Sequence, residues 1–333
     1  MSTWATASKT HTSQLSKVHN SGLRIIIGAI KSTPIAEMEK ITGLQSIDER
    51  TELKVLTHSE KLKRLPTHSA AQLICQPTKN RLRRKSFNHI AQTLTQQQVP
   101  QALNLPSDRE LFQNCIHLET TNVQIRKDIP GIERKADFSP AALKAITEDF
   151  MDRNYNPTQW TRVFTDGSAE EAVRNGGGGV YIEHQNGQRT SATVPTGEVS
   201  TNFRAEQSAV LLAANALLSG NTGTNVVFLC DCQSVLESLQ SLPNDKLSSD
   251  IQRALSRLSE KCSVVMQWIP SHCQIPGNEE ADKQAKQGST MEQFPHPSSY
   301  TEAKTIIKSS CHNKWKLRLG VDSKDDTLHG LER

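Results

Sequence analysis

Two short apolar runs in this chain each end on an aspartate: VFTD closes on Asp166 and VVFLCD on Asp231. A single aspartate after a strand is an ordinary turn former or helix cap. If the two strands are parallel neighbours, about 4.8 Å apart, both carboxylates reach the same sheet edge. Like charges that close raise each other's pKa and destabilise the fold unless a cation sits between them. Glu206 lies in the first turns of a helix read over 200–220. Asp282 lies near the start of a helix read over 278–287, where the helix dipole favours an anion. Four hard oxygen ligands with no nearby Cys/His set suit Mg²⁺ or Mn²⁺, not zinc. Two such ions about 3.5–4 Å apart are the usual device for in-line attack on a phosphodiester. His272, in the loop PSHCQIPGN ten residues before Asp282, could relay a proton, although a solitary loop histidine is more often inert.

The elements that must position these groups are legible from residue 161 onward. TRVFTD (161–166) reads as a strand, and GGGGVYIEHQ (176–185) and QRTSATVP (188–195) as two strands joined by an Asn186-Gly187 turn. STNFRAEQSAVLLAANALLSG (200–220) reads as a helix with an apolar stripe of Ala205, Ala209, Leu212, Ala213 and Ala216. Cap candidates Ser200 to Asn202 precede it and Gly220 ends it. The nearly all-apolar run 225–231 is a buried central strand. Helices over 233–242 and 246–260, a strand over 262–270 and a last helix capped by Asn278 complete the order βββαβααβα.

Composition narrows the class. The chain has 333 residues, 35% hydrophobic and 5% aromatic, enough for one or two domains with ordinary cores. No stretch approaches the roughly 20 apolar residues that span a bilayer, and the first residues lack the apolar core of a secretion signal. An intracellular protein, in cytoplasm or nucleus and without membrane partners, is expected. Seven scattered cysteines fit reduced thiols. Residues 1–157 carry 22 Lys/Arg against 15 Asp/Glu, net +7, while 158–333 carry 17 against 20, net −3. The basic half, with its run KNRLRRK at 79–85, suits a polyanionic partner, and a solvated basic helix or linker is an equally good reading on charge alone.

TDGS, TNFRAE, the strand ending at Asp231 with QSVL after it, and WIPSHCQIPGNEEADKQAK together resemble type 1 ribonuclease H over about 158–290. More narrowly they resemble the ribonuclease H domain of non-LTR retrotransposon polyproteins. The resemblance implies an α/β fold with a five-stranded mixed sheet, flanking helices, and strands one and four adjacent and parallel. It implies a two-metal-ion endonuclease that cuts the RNA strand of RNA–DNA hybrids, with two Mg²⁺ or Mn²⁺ ions. By position, the family's metal-binding carboxylates fall on Asp166, Glu206, Asp231 and Asp282, and its mobile histidine on His272. Asn202 matches the residue that touches the hybrid in the minor groove, and Ser168 and Thr201 lie beside equivalent contact regions. The chain departs from the pattern at Cys232, commonly Ser, and at Gln274, often Gly, which restricts the loop if that position needs positive φ.

Residues 1–128 resemble, less specifically, the helical thumb and connection of such polyproteins; no YxDD-type acid pair is present, so no polymerase activity is expected. A linker over 129–157 with one helix after Ser139-Pro140 and a helical, polar tail over 291–333 complete the expected organisation. The competing reading is a catalytically inactive nucleic-acid-binding remnant of a mobile-element polyprotein; a related fold acting on DNA is a third. Residues 158–290 carry 10 Lys/Arg against 14 Asp/Glu, net −4, so phosphate attraction there is weak and hybrid binding should lean on the basic N-terminal half.

Overall fold

The computed structural model describes residues 2–66, 85–98, 105–106, 108–112, 122–171, 173–220, 225–243 and 245–320. The basic run at 79–84 and the end at 321–333 lie outside the described residues. Two compact units emerge: Met1–Ser107 with Ala303–Arg333, and Asp108–Glu302.

The first unit is helical: α1 (Lys9–Ile27), α2 (Ile35–Thr42), α3 (Ile47–Lys63) and α4 (Phe87–Gln98). Ser46 and Glu49 close a capping box at the start of α3, satisfying two backbone donors reciprocally.

In the second unit, six strands form one mixed sheet: β1 (Val123–Arg126), β2 (Thr161–Glu170), β3 (Arg174–Glu183), β4 (Arg189–Val199), β5 (Asn225–Cys230) and β6 (Ser263–Trp268), in the spatial order β1-β6-β5-β2-β3-β4. The five strands from β2 onward are those read from the sequence. β1 adds a short sixth, parallel to β6. β2 runs parallel to β5 and antiparallel to β3. β2 continues four residues past Asp166, because the glycine-rich start of β3 pairs with Gly167, Ser168 and Ala169.

Helices α5 (Pro140–Asn154), α6 (Asn202–Ser219), α7 (Gln233–Leu239), α8 (Lys246–Ser259) and α9 (Pro276–Thr290) pack on the sheet, and α10 (Tyr300–Leu319) follows. In the first unit, Ile307 and Cys311 of α10 pack against Leu56 of α3, Lys314 reaches Glu52 at 2.7 Å, and Arg318 pairs with Glu39 and Glu49. α6 buries Ala205, Ala209, Val210, Ala213, Ala214 and Leu217. That face is rotated from the expected stripe: Leu212 and Ala216 are not buried, because α6 lies between the sheet and α8 and is covered on two sides. One core cluster joins this helix to Val163, Phe228 and Met266, and a second, on the other face, joins Phe164, Leu229, Val265 and Ala281. Residues 129–155, read as a connector, contribute Ile129, Ile132, Leu143, Met151 and Tyr155 to the second cluster. The helix after Ser139-Pro140 is present, with Ser139 capping it.

The glycines of β3 decide where α9 lies. A Cβ at Gly179 would meet the carbonyl oxygen of Ala281 at 2.0 Å, and one at Gly177 the carbonyl oxygen of Ala285 at 2.2 Å. Only a strand without side chains there admits a helix so close. Gly179 pairs with Asp166 across the sheet, so the residue after Ala281, Asp282, is carried toward Asp166. No described helix is long and apolar enough to cross a membrane.

Candidate metal centre

The register of β2 with β5 pairs Thr165 with Cys230, so Asp166 and Asp231 follow at the same end of two parallel neighbours. Glu206 completes the group from α6. Gly167 allows it to come close: a Cβ there would lie 2.3 Å from the backbone nitrogen of Glu206. One carboxylate oxygen from each of Asp166, Glu206 and Asp231 falls within 4.8 Å of the others.

The electrostatics follow from that convergence. Burial, then the charges of Asp166 and Asp231, push the Glu206 carboxyl well above its usual range. Burial, then Asp231, raise Asp166 to about 7, with a smaller contribution from Asp282 and an opposing hydrogen bond from the Gly167 N–H. Burial also raises Asp231, against the pull of Asn278, His272 and Lys135. Glu206 Oε2 is buried and has no hydrogen-bond partner. A buried carboxylate oxygen without a donor costs the fold its hydration, and three crowded carboxylates are a hard-donor set that fits Mg²⁺ or Mn²⁺.

The other expected residues have varied surroundings. Asp282 is outside the converging three; its carboxylate accepts a bond from Lys286 Nζ at 2.5 Å, one turn along α9. His272 stands in the loop before α9 at φ 58°, exposed, with its charge acting on Asp231. Gln274 has φ 59°, so that position does take positive φ, and a glutamine there bears the left-handed strain. Asn202 is exposed in the first turn of α6. Thr201 is buried and caps α6, its Oγ1 accepting from the Arg204 N–H at 3.2 Å. Ser168 is half-buried on an open polar groove with Arg174, Asn175 and Ser289. Cys232 is the N-cap of α7 yet makes no side-chain capping bond, where a serine hydroxyl would.

Asn278 corrects the sequence reading. The last helix begins at Pro276, not Asn278, and Ile275 is its N-cap. Asn278 is buried in the first turn, and its Nδ2 donates to Asp231 Oδ2 at 3.4 Å. An asparagine at a helix start signals a cap in sequence, and only the tertiary fold turns it toward the acids. A separate cavity of 590 Å³, lined by Thr161, Ile182, His184 and Leu217 among others, has no carboxylate in its lining and sits by the opposite end of β2.

Residues 158–290 match the family model for RNase H. This chain carries an RNase H-like domain. Among solved structures, RNase H1 from the halophilic archaeon Halobacterium salinarum NRC-1 is similar at 18% identity, covering 39% of this chain and 96% of that one, with a TM-score of 0.33. A likeness that slight adds nothing to the family match. The matched segment contains all three converging acids and the histidine loop, but not β1, α5 or the turn between them.

Proposed function

We propose that the RNase H-like domain is a metal-dependent endonuclease that hydrolyses the RNA strand of RNA–DNA hybrids. The observation that supports it most is the convergence of Asp166, Glu206 and Asp231 around a buried carboxylate oxygen that no protein donor satisfies. Asp166, Glu206, Asp231 and Asp282 would hold two Mg²⁺ or Mn²⁺ ions, which when bound activate the attacking water and stabilise the leaving oxygen.

The chain's own residues do the rest. Asn278 holds the Asp231 carboxylate at one oxygen, Oδ2, and so helps orient it. Lys286 holds Asp282 until ligands compete for it, and an exposed pair of that kind is weak enough to exchange. His272, exposed in the loop before α9 and near enough for its charge to act on Asp231, would move a proton at the reacting phosphate. Asn202 is the group we assign to the 2′-hydroxyls of the wide minor groove, which distinguish RNA from DNA, with Ser168 and Thr201 as further substrate contacts. The origin in a non-LTR retrotransposon polyprotein rests on the motif resemblance alone.

Asp231→Asn tests this reading, assayed for Mg²⁺-dependent cleavage of a hybrid beside an all-DNA duplex. Hydrolysis of the hybrid lost in the variant is expected; hydrolysis unchanged refutes it. The strained Gln274 and the uncapped Cys232 favour a second reading, an inactive nucleic-acid-binding remnant. Hybrid binding without cleavage across Mg²⁺ and Mn²⁺ titrations would select that one.

A further inference from the structure

We propose that Lys135 binds a phosphate of the nucleic-acid strand at the rim of the acidic centre, supplied by a segment outside the RNase H match. The inference deepens the function proposed above and rests on it.

The lysine opens a single 3₁₀ turn, Lys135–Asp137, between β1 and α5. Its backbone is anchored on both sides. Ile129 and Ile132, before it, are buried in the same cluster as Cys273 and Ile275 of the histidine loop. After it, α5 leads to Tyr155, whose hydroxyl donates to Gln267 Oε1 at 2.8 Å, and Gln267 Nε2 donates back to the Asp128 carbonyl at 2.9 Å. The turn is thus fastened to β6 and to the loop, a hundred and more residues away in sequence.

From that anchorage the side chain turns toward the acids. Lys135 Nζ donates to Ser271 Oγ at 2.7 Å, and Ser271 immediately precedes His272. The ammonium is near enough for its charge to act on Asp231 and on Cys273. An ammonium has three donors, and Ser271 takes one. The lysine is exposed, so a strand lying along the acids can reach it. Glu133 and Asp137 flank Arg134 and Lys135 in sequence, so the claim concerns this one ammonium and not a basic patch. Its value to the domain is clear from charge: with net −4 over 158–290, the matched fold repels the phosphates it must hold, and a cation at the rim offsets that.

The test uses the full chain and a fluorescent RNA–DNA hybrid. Binding is measured by anisotropy in EDTA at several salt concentrations, and cleavage is measured in Mg²⁺. Lys135→Ala and Lys135→Gln should weaken binding about three- to tenfold at low salt and reduce the salt slope by about one. They should raise KM and leave kcat within about twofold. Lys135→Arg should retain binding, and Ser271→Ala should leave both constants as in the parent. Equal affinity and slope in Lys135→Gln and the parent overturn the proposal while the nuclease reading stands. Ser271→Ala reproducing the Lys135 variants also overturns it, because the lysine would then act by holding the loop. A parent that neither binds nor cuts hybrid overturns both.

Discussion

Two buried carboxylates in the second unit meet opposite fates. Glu302 is fully buried; its Oε2 accepts the Ser299 N–H at 2.7 Å, and the Arg204 guanidinium stands 3.5 Å from its Oε1. Glu206, only two residues from Arg204 along α6, is buried as well, but its neighbours are Asp166 and Asp231. The fold brings a cation and helix-start donors to one acid and more acids to the other. The first is a structural group whose charge is balanced from within, although its Oε1, like Oε2 of Glu206, has no hydrogen-bond partner among the described residues. The second is stable as an ionised group only if positive charge comes from outside the chain.

The largest expected effect falls on catalysis. Asp231→Asn should reduce Mg²⁺-dependent hybrid cleavage by ~10²-fold or more, since loss of even an outer partner of a metal ligand costs about 10–100-fold. Cleavage rates in matched Mg²⁺ buffers measure this.

The comparison itself is sharpened by thermal unfolding of two variants with and without Mg²⁺. At a hundred times its Kd, a bound ion stabilises the parent by about 2.7 kcal/mol. Glu206→Gln should abolish that gain without loss of metal-free stability. Glu302→Gln should keep the gain but lose about 1–3 kcal/mol, because the half-buried Arg204 guanidinium is left facing a neutral amide. A Glu302 variant that loses the Mg²⁺ response, or a Glu206 variant that retains it, breaks the contrast.

The pH dependence has a definite sign. Asp166 has a folded value of about 7 against 3.8 unfolded, so between them the folded chain holds the extra proton. Its contribution is fully present below 3.8 and is lost as pH rises through about 7, so metal-free stability should fall across that window. Glu206, also raised, acts in the same direction. Asp166→Asn should flatten the decline, as seen in denaturant melts at a series of pH values.

Smaller effects should come from the two departures from the family pattern. Gln274→Gly relieves a left-handed residue, a gain of roughly 0.5–1 kcal/mol after glycine's own entropy is subtracted. Cys232→Ser should add about 0.5–1 kcal/mol by capping α7. Urea midpoints resolve both.

Most of the second unit was legible in its sequence because the signals were local. The Asn186-Gly187 turn marked the hairpin, alanine spacing marked α6, and apolar runs ending on Asp166 and Asp231 marked the parallel pair. What escaped notice depends on distant partners. β1 is only VQIR, and its pairing with β6 lies about 140 residues away, beyond any local periodicity. The extension of β2 past Asp166 carries no apolar alternation; its partner is a run of glycines. Asn278 and Lys135 carry ordinary local meanings, a helix cap and an exposed charge. Their places beside Asp231 and Ser271 come from tertiary packing alone.

The most direct measurement is anomalous diffraction from crystals of the full chain soaked in Mn²⁺. Two peaks among Asp166, Glu206 and Asp231, with Asp282 released from Lys286 to reach one of them, are the expected result. Crystals that diffract well and show no manganese at these carboxylates, or show it only elsewhere, would contradict the account.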